Sequence, residues 1–145
     1  MNSLRGKTLV RKDGTTITAE AALRNKRLIC LYFAAEWCPP CITFTPILAT
    51  AYREAKEEGL PIEVVFVSSD RSEDEMNAFV NNSHENWPVL PYGDPLQFTL
   101  KARYKISGIP TLVVLNARGD LICSNGRSSI ATMSHYAFKE WLCTT

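Results

Sequence analysis

Two of the five cysteines in this 145-residue chain fall in the string Trp37-Cys38-Pro39-Pro40-Cys41. Residues three apart on a helix lie one turn apart on a common face, so two thiols at this spacing can form a disulfide. The same pair could instead be half of a zinc site. Structural zinc takes four ligands, normally as two close pairs, and the chain has no second Cys-X-X-Cys; its two histidines, His84 and His135, are far apart. No metal is expected, which leaves a redox pair or a purely structural one, and the placement of the string favours the first.

The surroundings decide which thiol does what. Leu28-Ile29-Cys30-Leu31-Tyr32-Phe33-Ala34 is continuously apolar, the pattern of a central strand covered on both faces. From Phe44 the apolar positions Phe44, Ile47, Leu48, Ala51, Tyr52 and Ala55 recur at helical spacing up to a stop at Gly59, with Pro46 expected to bend the helix about one turn in. The cysteines sit where the strand ends and this helix begins. Unpaired backbone N–H groups and the positive end of the helix dipole favour a thiolate there, which makes Cys38 the candidate nucleophile. Cys41, one turn deeper, is the candidate resolving thiol. Pro39 and Pro40 have no N–H, so the local donors left for the Cys38 sulfur are chiefly the Cys41 amide and its thiol. Trp37 flanks the nucleophile and is expected to shape a docking surface for a partner, whereas Trp87 reads equally as core or rim.

The remaining elements frame this junction. Lys7–Arg11 and Thr15–Thr18 flank the turn Lys12-Asp13-Gly14 and read as a β-hairpin. Ile62–Val67 is a second buried strand. Ser72-Glu73-Asp74-Glu75 opens a helix through Met76, Phe79 and Val80, and Asp94-Pro95-Leu96-Gln97 opens another towards Tyr104. Thr111–Leu115 and Leu121–Ser124 are strands about a turn, and Ile130, Met133, Ala137, Phe138, Trp141 and Leu142 form the stripe of a final helix. The order β-β-β-α-β-α-α-β-β-α implies one α/β domain over residues 1–145, with a mixed sheet flanked by helices on both faces. Sixteen Lys and Arg against 15 Asp and Glu, scattered along the chain, give no electrostatic reason to bind nucleic acid. No apolar run is long enough to span a membrane, and the first residues lack the core of a secretory signal. A cytoplasmic monomer is expected, with the nucleus as a second compartment.

The segment YFAAEWCPPC, Pro46 five residues after the second cysteine, and Ile109-Pro110-Thr111 before an apolar strand resemble the thioredoxin superfamily over nearly the whole chain. Within it, WCPPC followed by FTP, VVFVSSDRSEDEM, WPVLPYGDP and RYKISGIPTLVVL resemble the tryparedoxin and nucleoredoxin branch. The resemblance implies a thioredoxin fold in which Pro110 is a cis-proline facing the two cysteines, leaving the Ile109 backbone free to pair with an extended substrate. It places Trp37, Pro39, Pro40, Ile109 and Pro110 in the substrate-binding surface. It also implies a thiol:disulfide oxidoreductase acting on disulfide-containing proteins without metal or bound organic cofactor. An external dithiol or reductase would recycle it: trypanothione, glutathione or a thioredoxin reductase system. The alternative implied by nucleoredoxins is a redox-sensitive binding protein that docks a signalling partner.

One departure stands out. Typical thioredoxins carry a buried Asp six residues before the first cysteine, and here that position is Tyr32, whose neutral phenol cannot replace a carboxylate. Asp70, Glu73 and Glu36 are candidates for the missing proton transfer. For each, the competing reading is a solvated surface carboxylate, or for Glu73 a charge on a helix N-terminus. Cys30, Cys123 and Cys143 are expected to be inert, with Cys143 open to adventitious oxidation.

Overall fold

The computed structural model describes residues 2–145. After a 3-10 turn at Asn2–Leu4, the elements are β1 (Thr8–Val10), β2 (Thr16–Thr18), α1 (Ala19–Ala22), β3 (Leu28–Ala34), α2 (Pro39–Glu57), β4 (Ile62–Ser68), α3 (Glu73–Ser83), α4 (Leu96–Arg103), β5 (Thr111–Asn116), β6 (Leu121–Cys123), α5 (Arg127–Met133) and α6 (Tyr136–Leu142).

Strands β4-β3-β5-β6 form a mixed sheet in which β3 runs parallel to β4 and antiparallel to β5. All seven residues of β3 are buried because they alternate between two cores. Leu28, Cys30, Tyr32 and Ala34 pack with residues of α2, α3, α5 and α6, while Ile29, Leu31 and Phe33 pack with residues of α1 and α4. Each large apolar side chain so buried contributes about 1.5–3 kcal/mol. This is a thioredoxin fold, with helices on both faces and an N-terminal hairpin.

The hairpin joins the sheet through one short segment. Val89 exchanges backbone hydrogen bonds with Val10 of β1, at 2.7 and 3.0 Å, while Phe66 of β4 donates its N–H to Pro88 O at 2.9 Å and accepts Leu90 N–H at 3.0 Å. Trp87, just before it, is fully buried, so it belongs to the core and not the rim.

Helix α2 begins at Pro39, because two prolines at its first positions give up only N–H groups that would have had no helical partner. Pro46 therefore lies two turns into the helix instead of one, and withholds the N–H that the Ile42 carbonyl would accept. Ser72 caps α3 as expected, its hydroxyl accepting from Glu75 N–H at 3.1 Å, but Glu75 returns its carboxylate to Arg71 N–H. Helix α4 starts at Leu96, whose N–H donates to Asp94 Oδ1 at 2.9 Å.

Two features depart from the expected order. The four-residue α1, capped by Thr18, is too short to give a periodic signal. The final stripe is divided in two, because Ser134 adopts φ +54°. The turn seats His135 between Glu54 of α2 and Glu58, the residue that caps the helix, with Nδ1 2.9 Å from the first carboxylate and Nε2 2.5 Å from the second. The apolar stripe Ile130, Met133, Ala137, Phe138, Trp141 and Leu142 keeps near-helical spacing across both halves and hides that break. Among the described residues no helix is long and apolar enough to cross a membrane.

Candidate active site

The loop from β3 to α2 is held from both sides before it reaches the thiols. Asp70, just past β4, accepts Glu36 N–H through Oδ1 at 2.7 Å and the Ser68 hydroxyl through Oδ2 at 2.6 Å. Burial pushes the Asp70 carboxyl up, and these hydrogen bonds offset part of that rise. Trp37 Nε1 donates to Ser69 O at 2.9 Å, while the Arg71 guanidinium lies 4.7 Å from the Trp37 ring centroid. The indole is 42% exposed yet held at its edge and on its face.

Cys38 is the N-cap of α2, and its sulfur accepts the Cys41 amide at 3.3 Å, the donor that the two prolines leave available. Its thiol donates towards Ile109 O at 3.7 Å. The Ile109–Pro110 bond is cis, so the loop before β5 brings this carbonyl against the nucleophile. Cys38 exposes 4% of its surface and Cys41 none, and both are free thiols in this structure. Burial, reinforced by a hydrogen bond with Cys38, pushes the Cys41 thiol well above the ordinary thiol range. Pro39 and Pro40 are exposed beside Cys38, while Pro110 is buried.

Beneath the first turn of α2 lies a polar ladder. The Thr45 hydroxyl donates to Cys41 O at 2.7 Å and lies 2.6 Å from Tyr32 Oη. Since Thr45 has one hydroxyl proton, already given to Cys41, Tyr32 is the donor in the second contact. Both side chains are fully buried, and burial raises the Tyr32 phenol far above its ordinary value, so it stays protonated.

The three candidate carboxylates part company here. Asp70 has both oxygens engaged. Glu73 is exposed at the start of α3 and, with Met76 of the same helix, lines a groove against Val10 and Lys12 of the hairpin. Glu36 alone keeps a buried carboxylate oxygen, Oε2, without a hydrogen-bond partner. Sequence reasoning missed Arg127, at the start of α5, whose charge weakly opposes the burial that raises Cys41 and Tyr32. It lies 86 positions beyond Cys41, and no local pattern links the two. Thr45 was also missed, although its spacing of four from Cys41 is the back-bonding distance within a helix. Of the other cysteines, Cys30 is fully buried, Cys123 half-buried and Cys143 exposed.

Comparison with known proteins places this geometry. The profile of the thioredoxin-like family matches residues 25–121. Nucleoredoxin of Bos taurus is 38% identical over 123 residues, covering 84% of this chain and 27% of that protein. Probable nucleoredoxin 1 of Arabidopsis thaliana is 34% identical over 131 residues, covering 89% of this chain and 22% of that protein. The chain thus spans about a quarter of the length of these curated relatives. Among solved structures, thioredoxin from Wuchereria bancrofti superposes with a TM-score of 0.84 at 38% identity, covering 98% of both chains. Native tryparedoxin I from Crithidia fasciculata does so at 0.81 and 29% identity, covering 92% of this chain and 90% of that one. The chain belongs to the thioredoxin-like family, within its tryparedoxin and nucleoredoxin branch.

Proposed function

We propose that this protein is a thiol:disulfide oxidoreductase that reduces disulfides of partner proteins through Cys38 and Cys41. The observation that carries the reading is the Cys38 sulfur itself, capping a helix, receiving the Cys41 amide at 3.3 Å and facing Ile109 O at 3.7 Å. The Cys38 thiolate attacks one sulfur of the partner disulfide. A Cys38–partner S–S bond forms as the partner's own breaks, and the released sulfur takes up a proton. Cys41 then gives up its proton and attacks the Cys38 sulfur. The Cys38–Cys41 bond forms, the second partner sulfur leaves and is protonated, and two electrons have passed to the partner.

The partner's backbone pairs with Ile109 beside Pro110, over a surface made by Trp37, Pro39 and Pro40. Arg127 favours the Cys41 thiolate in the second step. Glu36, the one of the three carboxylates with an unpartnered buried oxygen, is the candidate to take the Cys41 proton, whereas Asp70 acts by holding the loop. The chemistry needs no metal or organic cofactor. An external dithiol or reductase (glutathione, trypanothione or a thioredoxin reductase system) returns the pair to its reduced form. The expected state is a cytoplasmic or nuclear monomer.

Reduction of insulin with dithiothreitol as donor tests this. Turnover is expected from the unmutated protein and none above background from Cys38→Ser. A second reading has one finding in its favour. The thioredoxin related protein 16 of Carcinoscorpius rotundicauda, 42% identical, is described as regulating NF-kB activity. Failure of the unmutated protein to turn over with any of the donors named would move the assignment to redox-dependent binding.

A further inference from the structure

We propose that Thr45 is a positioning residue for the second chemical step: with Tyr32 it forms a strut that ties the Cys41 backbone to the central strand and holds the resolving thiol in line with Cys38. The inference rests on the two-step dithiol reading above.

The first two turns of α2 lack one backbone hydrogen bond, because Pro46 withholds the N–H that the Ile42 carbonyl would accept. Two hydroxyls back-bond to carbonyls just before that gap. Thr43 donates its hydroxyl to Pro39 O at 3.3 Å, and Thr45 donates its own to Cys41 O at 2.7 Å. Only the second of these continues into the sheet, because Tyr32 of β3 donates to Thr45 Oγ1 at 2.6 Å. Tyr32 is itself fixed by edge contacts with Phe44 and Trp87, at centroid distances of 6.0 and 6.3 Å. The strut therefore runs from a buried aromatic core to the carbonyl of the resolving cysteine. Cys38 depends on it less, since the amide its sulfur accepts lies in the peptide before the tied Cys41 carbonyl, and its second contact, Ile109 O, lies outside the strut altogether. The position that lacks a carboxylate in this chain holds a phenol bonded to the helix start.

The two steps can be read separately with 5,5′-dithiobis(2-nitrobenzoate), in a Cys143→Ser background that silences the exposed thiol. Attack by Cys38 releases one thionitrobenzoate and leaves a mixed disulfide; attack by Cys41 releases the second and closes the Cys38–Cys41 bond. In Thr45→Val the second release is expected to slow roughly tenfold, the scale of a sub-ångström misplacement, with the first unchanged within about twofold. The mixed disulfide then accumulates and is countable by mass after acid quench. Thr45→Ser, which keeps the hydroxyl, restores the second release. Adding Tyr32→Phe to Thr45→Val costs no more than Thr45→Val alone, because the two groups form one strut. Equal slowing of both steps, or failure of Thr45→Ser to rescue, would overturn the proposal. A protein that completes both releases but does not reduce insulin would refute the proposed function and leave this role standing.

Discussion

His84 gives the protein a specific weakness towards acid. Its ring is 1% exposed and boxed by Phe66 and Phe79, at centroid distances of 4.4 and 4.5 Å. Nδ1 accepts from Trp87 Nε1 at 3.1 Å, which assigns the single proton of the neutral ring to Nε2. Burial, with the Lys12 charge adding to it, depresses the imidazole from 6.5 to about 3. The unfolded chain takes up a proton near pH 6.5 that the folded chain refuses until about pH 3, so this contribution is complete above 6.5 and is lost as pH falls. At 1.36 kcal/mol per unit, about 2 kcal/mol is gone by pH 5 and on the order of 4–5 kcal/mol by pH 3. Total stability for such a domain is about 5–15 kcal/mol, so the loss is a large share of it. Urea unfolding at pH 7, 6 and 5 measures it. His84→Asn keeps an acceptor for Trp87 and removes the titration. It should start about 2 kcal/mol or more less stable at pH 7, from the cavity it leaves, and the gap should narrow as pH falls to 5. If the two proteins lose stability in parallel over that range, His84 is not the acid-sensitive group and the reasoning fails.

Other perturbations test the frame of the site. A Cβ at Gly126 would stand 2.5 Å from Trp141 Cη2, so Gly126→Ala should destabilise by about 1–3 kcal/mol and shift the Trp141 emission seen by fluorescence. Asp70→Ala leaves the Glu36 amide and Ser68 hydroxyl without their acceptor. A loss of about 1–3 kcal/mol in chemical denaturation is expected, together with slower attack by Cys38 in single-turnover disulfide exchange. Cys143→Ser should abolish disulfide-linked dimers on non-reducing gels after air oxidation, since Cys143 is the exposed thiol.

Much of this was legible because local rules and tertiary demands agree. The seven buried residues of β3 declare themselves by unbroken apolarity, and Cys38 and Cys41 by their spacing at the strand-to-helix junction. Where a feature depends on what another segment does, the sequence is silent. The apolar stripe of the last helix continues across Ser134, whose positive φ serves the docking of His135 on α2. Asp70 and Glu73 look alike as carboxylates after a strand. Yet Asp70 turns back to the Glu36 amide, while Glu73 lies in the groove beside the hairpin, a difference set by loop geometry. Tyr32 reads as a missing base; only the packed structure shows that its hydroxyl meets Thr45. The charge of Arg127 is felt at Cys41 only because α5 packs on α2.

The central claim is a division of labour between the two thiols, and the most direct measurement is the intact mass of Cys41→Ser after mixing with insulin. The account predicts a stable mixed disulfide between one insulin chain and Cys38, reversed by dithiothreitol and absent when Cys38→Ser is added. An adduct that forms equally well without Cys38, or no adduct on Cys38 at all, would contradict it.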